Sequence, residues 1–291
     1  MFVFKAAVVG AGTMGGEIAQ VIASAGIPVV LKDVDQRFVD TGLEKAGSVT
    51  EAQLAGLVKK EKITEEQADQ QAGEILGRIT GTTGYEGFGD VDFVIEAVPE
   101  RMEIKQAVFS ELDVVTPGHA ILSSNTSALS ITEMGEVTSR PDKVVGFHFF
   151  YPASVMRLVE VVEGEDTSDE TIRAASNFVQ AIRKQPIGCG EVPGFVVNRI
   201  LNSAASEIWR VTEEEGLDPK EVDQVIADSK VTPMGPFFLT DLLGLDTVLH
   251  VAEHLQESYG DERFYVSTKM KELVEEGHLG QKTGRGFYEH G

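Results

Sequence analysis

Residues 3–33 read VFKAAVVGAGTMGGEIAQVIASAGIPVVLKD. Residues 3–9 form an apolar run of the kind that fills a buried parallel strand. Gly10-Ala11-Gly12-Thr13-Met14-Gly15 follows at once, a G-x-G-x-x-G pattern. A helical pattern then covers residues 16–25, with Ile18, Ile22 and Ala25 on one face, and Gly26 stops it. Pro28 opens a second apolar run over 29–31, and Asp33 stands at its end. A lone G-x-G-x-x-G is weak. Between a strand and a helix, with an acid after the next strand, it marks a dinucleotide-binding unit.

Each position has a physical reason. Gly10 allows the tight turn out of the strand. Gly12 lets the backbone approach a pyrophosphate, and Gly15 lets the helix pack close to the strand. The helix N-terminus offers free N–H groups and a partial positive charge to phosphates. Gly10, Ala11, Gly12, Thr13, Met14 and Gly15 are therefore the expected phosphate cradle. The Asp33 carboxylate can accept from both hydroxyls of an adenosine ribose and repels a 2′-phosphate, which points to NAD rather than NADP. The plainer alternative is a strand-turn-helix that uses its glycines only for geometry.

Composition sets the bounds. The 291 residues fit one or two domains with a sizeable core. No apolar run reaches the roughly 18 residues of a membrane span. The first residues lead straight into the first strand, with no signal peptide pattern. The single Cys189 excludes a disulfide within one chain and fits a reducing compartment, so a cytoplasmic location is expected. One Cys and scattered His give no structural zinc site, and no metal is expected.

The charge is strongly acidic: 25 Lys+Arg against 47 Asp+Glu give −22. Nucleic acid and anionic membranes are therefore not expected as partners. One reading is adaptation to a high-salt cytoplasm, where a dense carboxylate surface keeps the chain in solution. The other is an ordinary acidic protein. The melting temperature separates them. At ~1 M salt the Debye length falls to ~3 Å and surface repulsion is screened. Salt adaptation predicts a higher melting temperature in molar KCl than in dilute buffer; a flat or falling value leaves the ordinary reading.

Along the chain, residues 37–57 look helical. Lys59-Lys60-Glu61-Lys62 follows, and then Thr64 as the N-cap of a second helix. This acidic helical pair is an insertion near residues 37–75. Its lysines are either an anion contact or a solvated helix end. Strands are expected at 79–82, 91–98, 120–123, 144–151 and 157–162, helices at 104–112 and 168–183, and a last short strand at 185–188. Glu100 and Ser127 follow strand C-termini, where ligand groups gather in an open α/β sheet; a helix cap is the competing role for both. From residue 193 onward helical patterns run to 277, with a long helix at 195–214. The expected architecture is an α/β Rossmann-type dinucleotide-binding domain over 1–187, followed by an all-α domain over 188–291 for substrate and dimer contacts.

Apolar strands rarely carry charge without a partner. His148 in Gly-Phe-His-Phe-Phe and Glu160 in Leu-Val-Glu-Val-Val are two exceptions. If these are neighbouring strands, Glu160 can hold one ring nitrogen of His148 and leave the other as a general base. A base beside a dinucleotide unit is the minimum for alcohol oxidation. There is no G-x-S-x-G and no H-E-x-x-H.

At this point the sequence resembles the 3-hydroxyacyl-CoA dehydrogenases. The resemblance rests on Gly10-Ala11-Gly12-Thr13-Met14-Gly15, Ser124-Asn125-Thr126-Ser127, Gly146-Phe147-His148-Phe149-Phe150, Leu158-Val159-Glu160-Val161 and Pro193-Gly194-Phe195-Val196-Val197-Asn198-Arg199. Pro233-Met234-Gly235-Pro236 and Leu279-Gly280-Gln281-Lys282-Thr283-Gly284-Arg285-Gly286-Phe287-Tyr288 extend it over nearly the whole chain. The stand-alone, short-chain 3-hydroxybutyryl-CoA members look closest. The resemblance implies NAD as cofactor, an acyl-CoA substrate, His148 as base and Glu160 as its partner. It implies that Ser127 contacts the substrate 3-oxygen and the nicotinamide, and that Asn198 helps hold that oxygen. It places Asp33, Glu100, Lys105 and Lys282 on NAD, and Lys60 on the CoA phosphates. It also implies a homodimer through the C-terminal helices.

One position departs. The family has Asn after His-Phe-Phe, and this chain has Tyr151, which puts acyl-chain preference in question. Two other readings remain: a dehydrogenase of a small free 3-hydroxy acid, whose catalytic lysine motif is not found here, and a non-catalytic dinucleotide-binding protein on the same fold.

Overall fold

A computed structural model describes residues 2–260 and 263–291 of the chain. It divides into two compact units that meet in the sequence at Glu191 and Val192.

The first unit is built on one sheet of eight strands: β1 (Ala6–Val9), β2 (Val29–Lys32), β3 (Ile79–Thr82), β4 (Phe93–Glu96), β5 (Ile121–Ser124), β6 (Val144–Phe149), β7 (Leu158–Glu163) and β8 (Gln185–Gly190). Their order is β3-β2-β1-β4-β5-β6-β7-β8. The first six run parallel, and β7 reverses against β6. β1, β2, β4, β5 and β6 are buried along their full length, as strands covered by helices on both faces must be. The chain moves outward from β1 through β2 to β3, then starts again on the other side with β4. Such a reversal opens a crevice at the carboxyl ends of β1 and β4.

The strands are shorter than the apolar runs suggest. Residues 3–5 stay outside β1, because the Phe4 and Lys5 amides donate to the Asp92 carboxylate at 2.7 and 3.1 Å instead of to a strand. β4 occupies 93–96 rather than 91–98, and β6 ends at Phe149. β8 runs two residues beyond 188 and pairs with β7 as far as Glu163.

Helix α1 (Thr13–Ser24) starts inside the glycine motif, three residues before the apolar pattern begins. It packs closely: a Cβ on Gly16 would lie 2.6 Å from the Gly42 carbonyl of α2 (Gln36–Lys59). Asp35 caps α2 by accepting from the Arg37 amide. Helix α3 (Glu65–Leu76) begins with the expected Thr64 cap, closed into a capping box by Gln67. Helices α4 (Met102–Val115), α5 (Ile131–Gly135) and α6 (Asp169–Ala181) complete the unit. Phe93, Phe147 and Phe178 meet in its core, with ring centres 4.6–5.8 Å apart. Each buried ring contributes roughly 1.5–3 kcal/mol through removal from water.

The second unit is helical: α7 (Val197–Glu214), α8 (Pro219–Asp228), α9 (Pro236–Leu243), α10 (Leu245–Tyr259) and α11 (Thr268–Glu275). Trp209, Phe237, Leu245, Ala252 and Met270 form its core. Two buried carboxylates tie the C-terminal tail down. Asp241 accepts from the Phe287 and Tyr288 amides at 2.8 and 2.9 Å and from His290 at 2.7 Å. Asp223 accepts from the Phe237 and Phe238 amides and from the Tyr288 hydroxyl. This explains glycines in two of the motifs that carry the resemblance. A Cβ on Gly235 would sit 2.1 Å from Asp223, and one on Gly286 2.4 Å from Asp241. Those glycines serve packing. No helix among the described residues is long and apolar enough to cross a membrane.

Candidate active site

The turn after β1 is shaped as its sequence requires. Gly10 takes φ +102°, and a Cβ there would lie 2.5 Å from the Ala97 carbonyl beyond β4. A Cβ on Gly15 would lie 1.7 Å from the Gly10 carbonyl. Neither position admits a side chain. Gly12 differs: a Cβ there would meet nothing within 4 Å. It is the N-cap of α1 and offers no side-chain cap to the first-turn amides. Open space over a glycine, in front of free helix amides, fits a pyrophosphate.

Asp33 closes this end. Its Oδ2 accepts from the Ala11 amide at 2.7 Å and its Oδ1 from the Val34 amide at 2.7 Å. The carboxylate is thereby fixed beside the glycine turn, with lone pairs left for ribose hydroxyls. Lys32 points away and lies over the Tyr85 ring, 4.5 Å from its centre, as strand alternation requires.

The second cluster lies farther along the sheet. β6 and β7 pair antiparallel with His148 directly opposite Glu160. His148 Nδ1 is 2.7 Å from Glu160 Oε2, and both residues are buried. The carboxylate accepts from Nδ1–H, which leaves a lone pair on Nε2. That nitrogen is 3.1 Å from Ser127 Oγ. The ring edge also rests on Phe150, with centres 4.7 Å apart.

Ser127 is not a helix cap. The next helix, α5, is capped by Ser130, which accepts from the Glu133 amide. Ser127 instead donates its amide to Glu100 Oε1 at 2.9 Å, and Thr126 Oγ1 donates to the same oxygen at 2.5 Å. Glu100 is likewise no cap: it bridges the end of β4 to the turn after β5. Asn125 fixes the other side by accepting from the Phe149 amide at 2.8 Å.

An alcohol whose oxygen sat between Ser127 Oγ and His148 Nε2 would meet a donor and a base within hydrogen-bond reach. The dinucleotide turn belongs to the same unit. Two family models match this chain: the 3-hydroxyacyl-CoA dehydrogenase NAD binding domain over residues 5–192, and the C-terminal domain of the same enzymes over 194–290. A probable 3-hydroxybutyryl-CoA dehydrogenase of Deinococcus radiodurans is 39% identical over 98% of this chain and 100% of its own. A 3-hydroxybutyryl-CoA dehydrogenase of Clostridioides difficile is 40% identical over 98% and 99%. The crystal structure of (S)-3-hydroxybutyryl-CoA dehydrogenase from Ralstonia eutropha matches all of both chains, with a TM-score of 0.91 and 39% identity.

The chain belongs to the 3-hydroxyacyl-CoA dehydrogenase family. It carries that family's NAD-binding domain.

The other positions that the family resemblance singles out fall in several places. Lys105 on α4 is buried, with its ammonium 2.8 and 3.0 Å from the two Glu96 oxygens and 3.2 Å from Glu100 Oε2. It is therefore held by two carboxylates of the protein itself. Lys60 is the exposed C-cap of α2. Asn198 lies in the first turn of α7, and Lys282 is in the 3-10 turn Gln281–Thr283, 2.5 Å from Asp246. Both belong to the second unit.

Tyr151, in place of the family's Asn, follows β6 with about half its surface exposed. Lys45 lies 5.9 Å from its ring centre. The Glu17 carboxylate, 3.0 Å away, holds the Lys45 ammonium above its ordinary range, and Tyr151 adds to this. Glu17 also accepts from the amide and hydroxyl of Ser154. The segment after His148 is thus tied to α1.

Glu96 escaped the sequence reading, although the rule that singles out Glu160 also applies to it. It is a carboxylate at the end of an apolar strand, and it is fully buried. Burial pushes its carboxyl up; the Lys105 ammonium, the Ser124 hydroxyl and the Val98 amide pull against that.

Proposed function

We propose that the chain oxidises (S)-3-hydroxyacyl-CoA to 3-oxoacyl-CoA with NAD, and runs the reverse, on short acyl chains such as 3-hydroxybutyryl-CoA. The carrying observation is the line Ser127–His148–Glu160, at 3.1 and 2.7 Å. His148 Nε2 takes the proton of the 3-hydroxyl. Glu160 stabilises the imidazolium that forms and keeps the ring in one tautomer. The Ser127 hydroxyl orients the 3-oxygen. Bound NAD supplies the hydride acceptor. In reduction His148 returns the proton to the same oxygen.

Gly10, Ala11, Gly12, Thr13, Met14, Gly15, Asp33, Glu100, Ser127 and Lys282 are the proposed NAD contacts. Lys105 joins them through Glu100, which it holds. Asn198 is proposed to steady the substrate 3-oxygen, and Lys60 to meet the CoA phosphates. Short-chain preference draws support from relatives named for 3-hydroxybutyryl-CoA. Tyr151 is the residue expected to shift it. The test is oxidation of (S)-3-hydroxybutyryl-CoA with NAD, set beside its R enantiomer and longer acyl chains. Preference for R, or for long chains, contradicts the assignment.

A cytoplasmic homodimer completes the reading. The lone Cys189 fits a reducing compartment. Ile200, Leu201, Val211, Val225, Leu242 and Leu243 expose apolar surface on α7, α8 and α9, which suits a second copy of the chain. Sedimentation is expected to give twice 31.5 kDa; a monomer at micromolar concentration contradicts it.

A further inference from the structure

The buried carboxylate at the end of β4 has its lone-pair sites filled by three groups of the protein. Glu96 Oε1 accepts from the Val98 amide at 2.6 Å and from Lys105 Nζ at 2.8 Å. Its Oε2 accepts from Ser124 Oγ at 2.6 Å and from Lys105 Nζ at 3.0 Å. Both Glu96 and Lys105 are essentially inaccessible to solvent. Taking two charges out of water costs several kcal/mol each in effect, and an apolar pair of the same volume is often as stable or more so. Such a pair is better explained by what it holds in place.

What it holds is the turn that carries Ser127, and it does so along two routes. The first is direct. Ser124 donates its hydroxyl to Glu96 and accepts from the Thr126 amide at 3.1 Å. The second runs through Lys105. Its ammonium lies 3.2 Å from Glu100 Oε2, while Glu100 Oε1 accepts from Thr126 Oγ1 and the Ser127 amide. Glu100 is itself partly exposed, with 40% of its side-chain surface accessible. Without the ammonium behind it, a carboxylate so placed would be free to turn toward solvent. The first route ends at the Thr126 amide, one residue before Ser127, and the second at the Ser127 amide itself; the Ser127 hydroxyl is 3.1 Å from His148 Nε2.

We propose that Glu96 is a positioning residue of this site: through Ser124 on one side and Lys105–Glu100 on the other, it sets where the Ser127 hydroxyl stands relative to His148. This rests on His148 being the base of the reaction. Glu96 touches neither His148 nor Glu160 and takes no part in proton transfer. Its effect is geometric. Displacements of about 1 Å at reacting groups can cost on the order of a hundredfold in rate.

The test uses the full-length protein and two variants. Glu96→Gln keeps the shape and removes the charge. Glu96→Asp keeps a carboxylate for Lys105, and with it the charge balance of the fold, but it falls short by one carbon and cannot keep all four hydrogen bonds to Val98, Lys105 and Ser124. If Glu96→Gln does not fold, Glu96→Asp alone decides the outcome. The readouts are kcat and KM for acetoacetyl-CoA reduction by NADH, and the His148 Nε2 resonance in 15N NMR, with Ser127→Ala as the reference. The expected result is a kcat loss on the order of tenfold to a hundredfold, with KM for acetoacetyl-CoA within about twofold. The Nε2 resonance is expected to move toward its position in Ser127→Ala. An unmoved resonance in folded Glu96→Asp overturns the proposal, whatever happens to the rate, and so does a wild-type kcat. A resonance that moves in a protein inactive on acetoacetyl-CoA supports the positioning role and contradicts the substrate reading instead.

Discussion

His148→Gln is expected to lower kcat by on the order of 10²–10⁴, the usual contribution of a positioned general base. The reason is local. Nδ1 of His148 is held by Glu160 at 2.7 Å, so in the proposed mechanism Nε2 is the nitrogen that would meet the substrate oxygen. Glutamine fills similar space but cannot take a proton at neutral pH. NADH affinity should stay near wild type, since the glycine turn and Asp33 are untouched. Glu160→Gln keeps a hydrogen-bonding side chain opposite residue 148 and removes only the charge that steadies the imidazolium, so it should cost less. In the double variant the losses should not add, because groups that act as a unit are strongly non-additive. Steady-state kcat for the three variants, with NADH binding measured by fluorescence, checks all of this. Near-wild-type turnover in His148→Gln removes the residue from the mechanism.

Discrimination against NADPH is expected to be the other large effect. Asp33 is fixed by the Ala11 and Val34 amides, each at 2.7 Å, and cannot swing away from a 2′-phosphate at little cost. Two like charges about 4 Å apart repel by roughly 1–4 kcal/mol between bulk water and a protein surface. That corresponds to about fivefold to a thousandfold in kcat/KM. The adjacent cation offers no relief, because Lys32 is turned onto the Tyr85 ring. Asp33→Ala should narrow the gap mainly by weakening NADH. A wild-type protein that uses NADPH as well as NADH contradicts this account of Asp33.

Much of the site is legible because its residues violate their surroundings. Histidine and glutamate in apolar strands stand out, and the structure places them opposite each other in one register. The glycine turn is legible because backbone approach restricts the residue type. Strand ends were not, since they are set by partners distant in sequence. Asp92 takes the Phe4 and Lys5 amides, and no pattern within residues 3–9 shows it. The role of Ser127 was open for the same reason. A serine after a strand suits a cap or a ligand contact equally, and only the placement of Glu100, Ser130 and His148 around it decides. Glu96 was hidden differently. Its partner Lys105 lies on the helix that follows β4, and a lysine on a helix reads as solvated until the packing is known. The C-terminal glycines were legible as part of the family resemblance but not as packing, because Asp223 and Asp241 become their neighbours only in the fold.

The most direct test of the central claim compares acetoacetyl-CoA with free acetoacetate as oxidant of NADH. Both carry the 3-oxo group that His148 and Ser127 would meet. Only the thioester carries the CoA that the family's substrates share. The account predicts steady NADH oxidation with acetoacetyl-CoA and a kcat/KM lower by orders of magnitude with the free acid. Comparable turnover of free acetoacetate, or none with 3-oxoacyl thioesters of any length by a protein that binds NADH, would contradict it.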